Sequence, residues 1–416
     1  MPKRERNRVV VGAVALLIVG AAVYGPVALL APLPTATAVP LSPVASGDGV
    51  PAPTLPVAGS SGLSLGVDAT PVAAGSTTPV PMAAATKLIT ALVVLDAKPV
   101  GAADSGPTIS ATNEDFQSFV NYQAAGVRAV RVLAGDSWSE REALQAMVVA
   151  SSNNHAEMLA RWAFGSIDAY LVAAKSWLAA HDLTGVTVAD TTGLDPASVG
   201  TGSDLARLAA LVRADPLLAE LTNAPRDTSL HGAPVENTIG YRASSGVVTL
   251  SRSYTDEAGV CVVFAYPVEV GGTAVTVYGA MLGEPSYDQL DADMDALIAG
   301  LPSSIVAQDA VASGSAWGRY DTAWGQSAEA VAQDALSVVD WAGSSASGAQ
   351  VVLDPITTGR TGLTVGSLSV VSREGPRTLP LVLNGTISDP GPLWRLVNPS
   401  VVVPAFIDMV AARTSK

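Results

Sequence analysis

The stretch Pro81–Lys98, PMAAATKLITALVVLDAK, constrains the fold more than any other. From Leu88 to Leu95 almost every side chain is apolar, so a helix here has no face to give to water and must be buried all round. Other elements then have to pack around it at the centre of a domain. Lys87 stands at its entry. The helix dipole opposes a cation at an N-terminus, and burial disfavours the charged form. Both push the lysine pKa down, toward what a general base needs. The competing reading is a lysine that snorkels to the surface. The chain has only five lysines, and the residues around this one weigh against that reading.

The rest of the chain gives these residues a setting. At 416 residues it is long enough for two domains, and its 49% hydrophobic content sits beside only 14% charged residues. Residues 1–8 carry Lys3, Arg4, Arg6 and Arg8 against Glu5, and the run Val9–Ala31 has no charge. At about 1.5 Å per residue it reaches about 35 Å, enough to cross a hydrocarbon core of about 30 Å with some tilt. The basic flank places the N-terminus, residues 1–8, in the cytoplasm. Ala36-Thr37-Ala38 would suit a signal-peptide cleavage site, but the run is long for a signal core. An uncleaved, single-pass anchor at 9–31 is therefore expected, with the bulk of the chain extracytoplasmic. The net charge of −14 argues against nucleic acid and against anionic lipid surfaces as partners.

Residues 32–64, rich in Pro, Ala, Thr, Ser and Gly, read as a flexible linker. A mixed domain is expected over 65–301. A loop rich in Gly, Asp and Thr follows the central helix, and Ser139 and Glu142 then make a capping box. That helix stops in Ser151-Ser152-Asn153-Asn154, a polar loop placed to line a cleft, and HAEMLARWAF begins another. Helices are expected near Ile167–His181 and Ser203–Val212, with Pro216 in the first turn of a short one. GVCVVFAYPV and TAVTVYGAML read as antiparallel strands. The fold class is thus α+β, helices packed on an antiparallel sheet. A small all-β domain at 303–385 and a tail at 386–416 complete the chain; the tail's apolar part, broken by Pro404, is short for a membrane span. Cys261 is alone and reads as a small buried hydrophobe. His155, His181 and His231 are scattered, and only His155 adjoins a motif, so neither a metal nor any other cofactor is expected.

The segments LITALVVLDAKP, ALQAMVVASSNNHAEMLA, DTTGLDP and NTIGYRASSGVV resemble the serine-type D-Ala-D-Ala carboxypeptidases, the low-molecular-mass penicillin-binding proteins. The resemblance implies a DD-peptidase/β-lactamase-like domain and three motifs. The first, Ser-x-Thr-Lys, falls on Ala84-Ala85-Thr86-Lys87, so the nucleophile position is alanine. The second, Ser-x-Asn, is intact as Ser151-Ser152-Asn153. The third, Lys-Thr-Gly, falls on Ser251-Arg252-Ser253. Carried over residue by residue, Lys87, Ser151 and Asn153 are the retained catalytic positions, and Thr86, Ser251, Arg252 and Ser253 are substrate-binding positions. An alanine methyl forms no acyl bond, and losing a serine nucleophile costs on the order of 10⁶ in kcat. Arg252 supplies a cation, but strand alternation turns it away from the face of its neighbours unless the strand is bulged. The expectation is a degenerate, membrane-held homologue in peptidoglycan metabolism that binds stem peptides or cell-wall proteins. Two alternatives remain: residual peptidase activity through Ser151, and a structural envelope protein whose cleft takes no ligand.

Overall fold

A computed structural model describes residues 22–41, 53–223, 227–231, 233–341, 349–372 and 375–414. A five-stranded antiparallel sheet forms the middle of the larger domain, in the order Val248–Thr255, Gly259–Val270, Thr273–Glu284, Ser60–Ser64, Val72–Gly75. The apolar run of its second strand is explained by burial on both faces. Cys261 and Val263 point into a core shared with the helical layer, while Val260, Val262 and Phe264 point into a second core. The second core is closed by the helix Tyr287–Ser304, which offers Leu290, Met294, Leu297 and Leu301 at helical spacing.

The central helix is Thr86–Ala97, and every side chain from Thr86 to Leu95 is buried. Around it stand Glu140–Val148, Asn153–Phe164, Ile167–Ala180 and Gly202–Ala214. Ser139 and Glu142 form the capping box expected from their spacing, and Pro216 opens a short helix ending at Thr222. The Gly202–Ala214 helix lies directly across the strand Ser60–Ser64. A Cβ on Gly62 would stand 2.4 Å from the carbonyl carbon of Gly202, so only a strand of small residues fits there.

Two segments differ from the expectation. Part of the expected linker is sheet. Ser60–Ser64 is a fully buried inner strand, and Thr37–Pro40 pairs antiparallel with Ala316–Asp321 at the edge of the C-terminal sheet. These strands are built largely from small residues, and tertiary pairing rather than apolar alternation fixes them. The expected loop after the central helix contains the helix Asn113–Ala124, with a Thr112–Asp115 capping box. Its apolar residues Phe116, Phe119 and Val120 stand at helical spacing, but only Asp115 and Ser118 are fully buried and only Phe119 packs against the core, so the stripe is short and weak.

The C-terminal part is a six-stranded antiparallel sheet running Thr37–Pro40, Ala316–Asp321, Ser327–Ala332, Gly375–Asn384, Thr364–Ser372, Gln350–Leu353. A separate ribbon pairs Ile305–Val311 with Leu336–Trp341. Residues 22–30 are helical and pack through Ala28 and Ala31 on Val402 of the tail helix Pro399–Thr414, which continues through Pro404. Residues 9–21 of the expected anchor, and 42–52 of the expected linker, lie outside the described residues. Among the described residues no single helix is long and apolar enough to cross a membrane. The tail pair, Gly391–Val397 and Pro399–Ala411, meets the length and composition test only as a pair bent by 96°.

Candidate functional site

A 3-10 turn, Ala83–Ala85, leads into the central helix. Ala83 is in the left-handed region, with φ 45°, which lets the chain turn sharply and presents Ala84 to a cleft. Thr86 is fully buried and its hydroxyl donates to the Ala83 carbonyl at 3.0 Å. It therefore holds this turn, and it is not among the residues that line the cleft.

Lys87 is 4% exposed, and its Nζ donates to the Thr192 carbonyl at 2.9 Å. Burial lowers its pKa to about 7; the Asp190 carboxylate pulls it up in part, and the Arg128 guanidinium adds to the lowering. The loop that supplies Thr192 is organised by Asp190. That carboxylate accepts from the Gly193 and Leu194 amides at 2.8 and 3.0 Å, from Ser198 Oγ at 2.7 Å, and from the Thr192 hydroxyl. Gly193 is required here on two counts: φ is +80°, and a Cβ would stand 1.7 Å from the Ala83 carbonyl oxygen. Gly193→Ala should force this loop off the turn before the central helix and destabilise the domain by about 2–3 kcal/mol. Denaturant unfolding checks this, and an unchanged midpoint would show that the close approach carries no stability.

The second wall is the turn between Glu140–Val148 and Asn153–Phe164. Ser151 has φ 53°, a strained value for serine. The turn is held by the Ser152 amide on the Ala146 carbonyl and the Asn153 amide on the Arg128 carbonyl, both at 3.1 Å. Ser152 turns inward and its Oγ donates to Asn154 Oδ1 at 2.8 Å. Ser151 and Asn153 instead line the same cavity as Ala84, Lys87 and Thr192, of about 320 Å³. Asn153 is 2% exposed, and its Oδ1 has no hydrogen-bond partner. His155 is buried against Trp138, with Nδ1 2.8 Å from Ser152 Oγ, and burial pushes its pKa down to about 3. His231 stacks on the same Trp138, and His181 stacks on Trp177. Among the described residues no group of three or more His, Cys, Asp or Glu side chains is arranged to hold a metal ion.

The third wall is the edge strand Val248–Thr255, whose register shifts between Thr249 and Ser251. Ser251 is buried and shares a small recess with Ala84, Lys87 and Ser151. Ser253 faces the same way, and its Oγ accepts a hydrogen bond from the Ala84 amide at 3.1 Å. In serine hydrolases the amide of the nucleophile residue helps bind the oxyanion. Here a side-chain hydroxyl holds the amide at that position. Arg252 alternates away from both serines, as strand geometry requires, and its guanidinium stacks on Tyr241 and Tyr287. Because the strand is at the sheet edge, that side still opens on the cleft, and Arg252 lines the cavity together with Tyr287. Sequence reasoning missed Thr192, Tyr241 and Tyr287. Thr192 acts through its backbone, and the tyrosines belong to no motif.

Against known proteins, residues 72–275 match the D-alanyl-D-alanine carboxypeptidase family model. No curated protein matches the sequence. Among solved structures, penicillin binding protein 5 from Haemophilus influenzae superposes with a TM-score of 0.59 at 14% identity, covering 82% of this chain and 100% of its own. The D-alanyl-D-alanine carboxypeptidase DacD from Francisella tularensis gives 0.59 at 16% identity, covering 83% and 98%. Penicillin binding protein 6B from Escherichia coli gives 0.57 at 18%, covering 80% and 97%. At these identities the structures speak for the fold alone. The family match, the α+β fold with helices on an antiparallel sheet, and the cleft built around Lys87 agree, and residues 72–275 form a domain of the D-alanyl-D-alanine carboxypeptidase family.

Proposed function

We propose that this chain is a catalytically silent member of its family, which binds peptidoglycan stem peptides in the cleft without cleaving them. The observation that carries this reading is the hydrogen bond from the Ala84 amide to Ser253 Oγ. The residue at the nucleophile position has only a methyl group, and the amide that would polarise a substrate carbonyl is occupied from within the chain. Both losses fall on the reacting centre. The means of holding a peptide are still at hand: Lys87, Ser151 and Asn153 line one cavity, and the buried Asn153 Oδ1 is an acceptor without a donor. An unbonded buried acceptor costs roughly 1–3 kcal/mol, which a ligand N–H would relieve. The basic flank and apolar run at 1–31 support a chain held in the cell membrane with this cleft on the outer side, where stem peptides or cell-wall proteins are the partners in reach.

The full chain should show no mass increase after incubation with penicillin, and no D-alanine release from a D-Ala-D-Ala peptide that it binds. A stoichiometric adduct would overturn the reading. An adduct mapped to Ser151 would establish the alternative in which that hydroxyl, beside a lysine with pKa about 7, is the nucleophile.

A further inference from the structure

Arg252 is held by aromatic rings and not by a carboxylate. The chain has 37 acidic and 23 basic residues, and about half of the described arginines pair with a carboxylate. Arg128 pairs with Glu236, Arg161 with Asp115, and Arg242 with Asp295. Among the described residues no carboxylate pairs with Arg252, and its Nε is buried without a hydrogen-bond partner. A guanidinium has five N–H donors in a fixed plane, matched to a carboxylate.

What holds Arg252 is aromatic. Its guanidinium carbon lies 4.6 Å from the Tyr241 ring centre and 4.2 Å from that of Tyr287. Both rings are on stable supports. The Tyr241 hydroxyl donates to Asp291 at 2.6 Å, and Tyr287 opens a helix whose cap, Ser286, accepts from the Gln289 amide at 3.1 Å. Stacking fixes a guanidinium while leaving its N–H edges available. Beside it is a cavity of about 810 Å³, lined by Arg252, Asn237, Thr238, Tyr241 and Tyr287 and by Arg128 with Glu236, whose carboxylate Arg128 pairs at 2.9 Å, and Arg252 also borders the smaller cleft at Ala84 and Lys87. A volume of this size takes a short peptide.

The two positions flanking Arg252 carry no cation. Ser251 is buried and uncharged, and the Ser253 hydroxyl is held by the Ala84 amide. We propose that carboxylate recognition has moved across the edge strand. The cavity beside the cleft is a carboxylate pocket, in which Arg252, clamped between Tyr241 and Tyr287, binds the free C-terminus of a short peptide. This deepens the peptide-binding reading of the cleft and rests on it. The peptide then lies with its terminus on the Arg252 side of the strand, away from the Ala84 amide, an arrangement in which no carbonyl is positioned for attack.

Fluorescence anisotropy on the full chain in detergent tests the pocket. The probes are a labelled tripeptide ending in D-Ala-D-Ala with a free carboxylate, its C-terminal carboxamide, and a labelled L-alanine tripeptide acid. The D-Ala-D-Ala acid should bind roughly 10- to 100-fold more tightly than its amide, the loss of one charge-assisted contact. Arg252→Gln should abolish that ratio, Arg252→Lys should keep part of it, and Tyr287→Leu should weaken acid binding. A ratio of one in the unmutated chain, or a ratio that survives Arg252→Gln, overturns the pocket while D-Ala-D-Ala binding itself still supports the cleft reading. Equal, Arg252-dependent binding of the L- and D-peptide acids keeps the pocket and overturns the stem-peptide reading. No binding of any probe overturns both. Matched thermal melts show that the variants are folded, and the acid-to-amide ratio of the unmutated chain decides the matter even if one is not.

Discussion

A chain carrying Ala84→Ser together with Ser253→Gly is expected to form a covalent penicillin adduct, while the unmutated chain forms none. Ala84→Ser alone should react about 10²–10³-fold more slowly than the pair. The first change supplies what an alanine methyl lacks, a hydroxyl in the cavity that Lys87 lines. The factor between single and pair follows from the amide. Removing one oxyanion donor costs about 10²–10³ in rate, and the Ala84 amide is such a donor held by Ser253 Oγ at 3.1 Å. Glycine at 253 has no atom to hold it. The cost of glycine in an edge strand is about 0.5–1 kcal/mol, small enough to leave the domain folded. Ser251→Lys would bring a second ammonium into the recess that Ser251 shares with Lys87, and so would not help the pair. Gel fluorescence with a labelled penicillin over time gives all three rates. Equal rates for single and pair would show that Ser253 does not block the amide. Silence from both, in folded protein, would show that a hydroxyl introduced at position 84 cannot reach Lys87 productively, and would remove the argument that the cleft keeps its family geometry.

The parts of this site that were legible in the sequence are those set by local chemistry. LITALVVLD has no polar face, so the burial of the helix and the depressed pKa of Lys87 follow from the string alone. The capping boxes and Pro216 mark helix starts for equally local reasons. Less was legible where small residues are held by distant partners. Ser60–Ser64 has no strand signal, because its composition answers to the Gly202–Ala214 helix pressed against it. The helix Asn113–Ala124 has only the short stripe Phe116, Phe119 and Val120, largely exposed, and is fixed by its cap and by Arg161, which binds Asp115 at 2.8 Å. The Ser253–Ala84 contact joins residues 169 positions apart, and nothing in either segment announces it. Alternation sets Arg252 opposite its neighbours, where its guanidinium meets Tyr241 and Tyr287. What it could not convey is that the strand lies at the sheet edge, so that this side opens on the cleft.

Lys87→Met is expected to raise stability at pH 6 relative to pH 9, when each variant is compared with the unmutated chain at the same pH. The Lys87 pKa falls from 10.5 in the unfolded chain to about 7 in the folded one, chiefly through burial. Below pH 7 both states carry the proton, and the folded state bears the full cost of a buried ammonium. Between 7 and 10.5 the folded state has released the proton while the unfolded chain still binds it. Stability therefore rises with pH across that window, by up to about 1.4 kcal/mol per pH unit. Methionine has similar length and no charge, so it removes this slope. The advantage of Lys87→Met should shrink by about 2–3 kcal/mol from pH 6 to pH 9. Loss of the bond to the Thr192 carbonyl adds an offset, but that offset does not depend on pH. Glu140 and Glu284, both raised to about 7 by burial, titrate in the same range but are present in both chains and cancel in the difference. Urea unfolding at four pH values measures it, and two parallel stability profiles would mean that Lys87 keeps its proton throughout. The same titration should appear in the engineered Ala84→Ser, Ser253→Gly chain. If the neutral amine of Lys87 is the base there, its acylation rate climbs through pH 7, and a rate independent of pH would assign the base elsewhere.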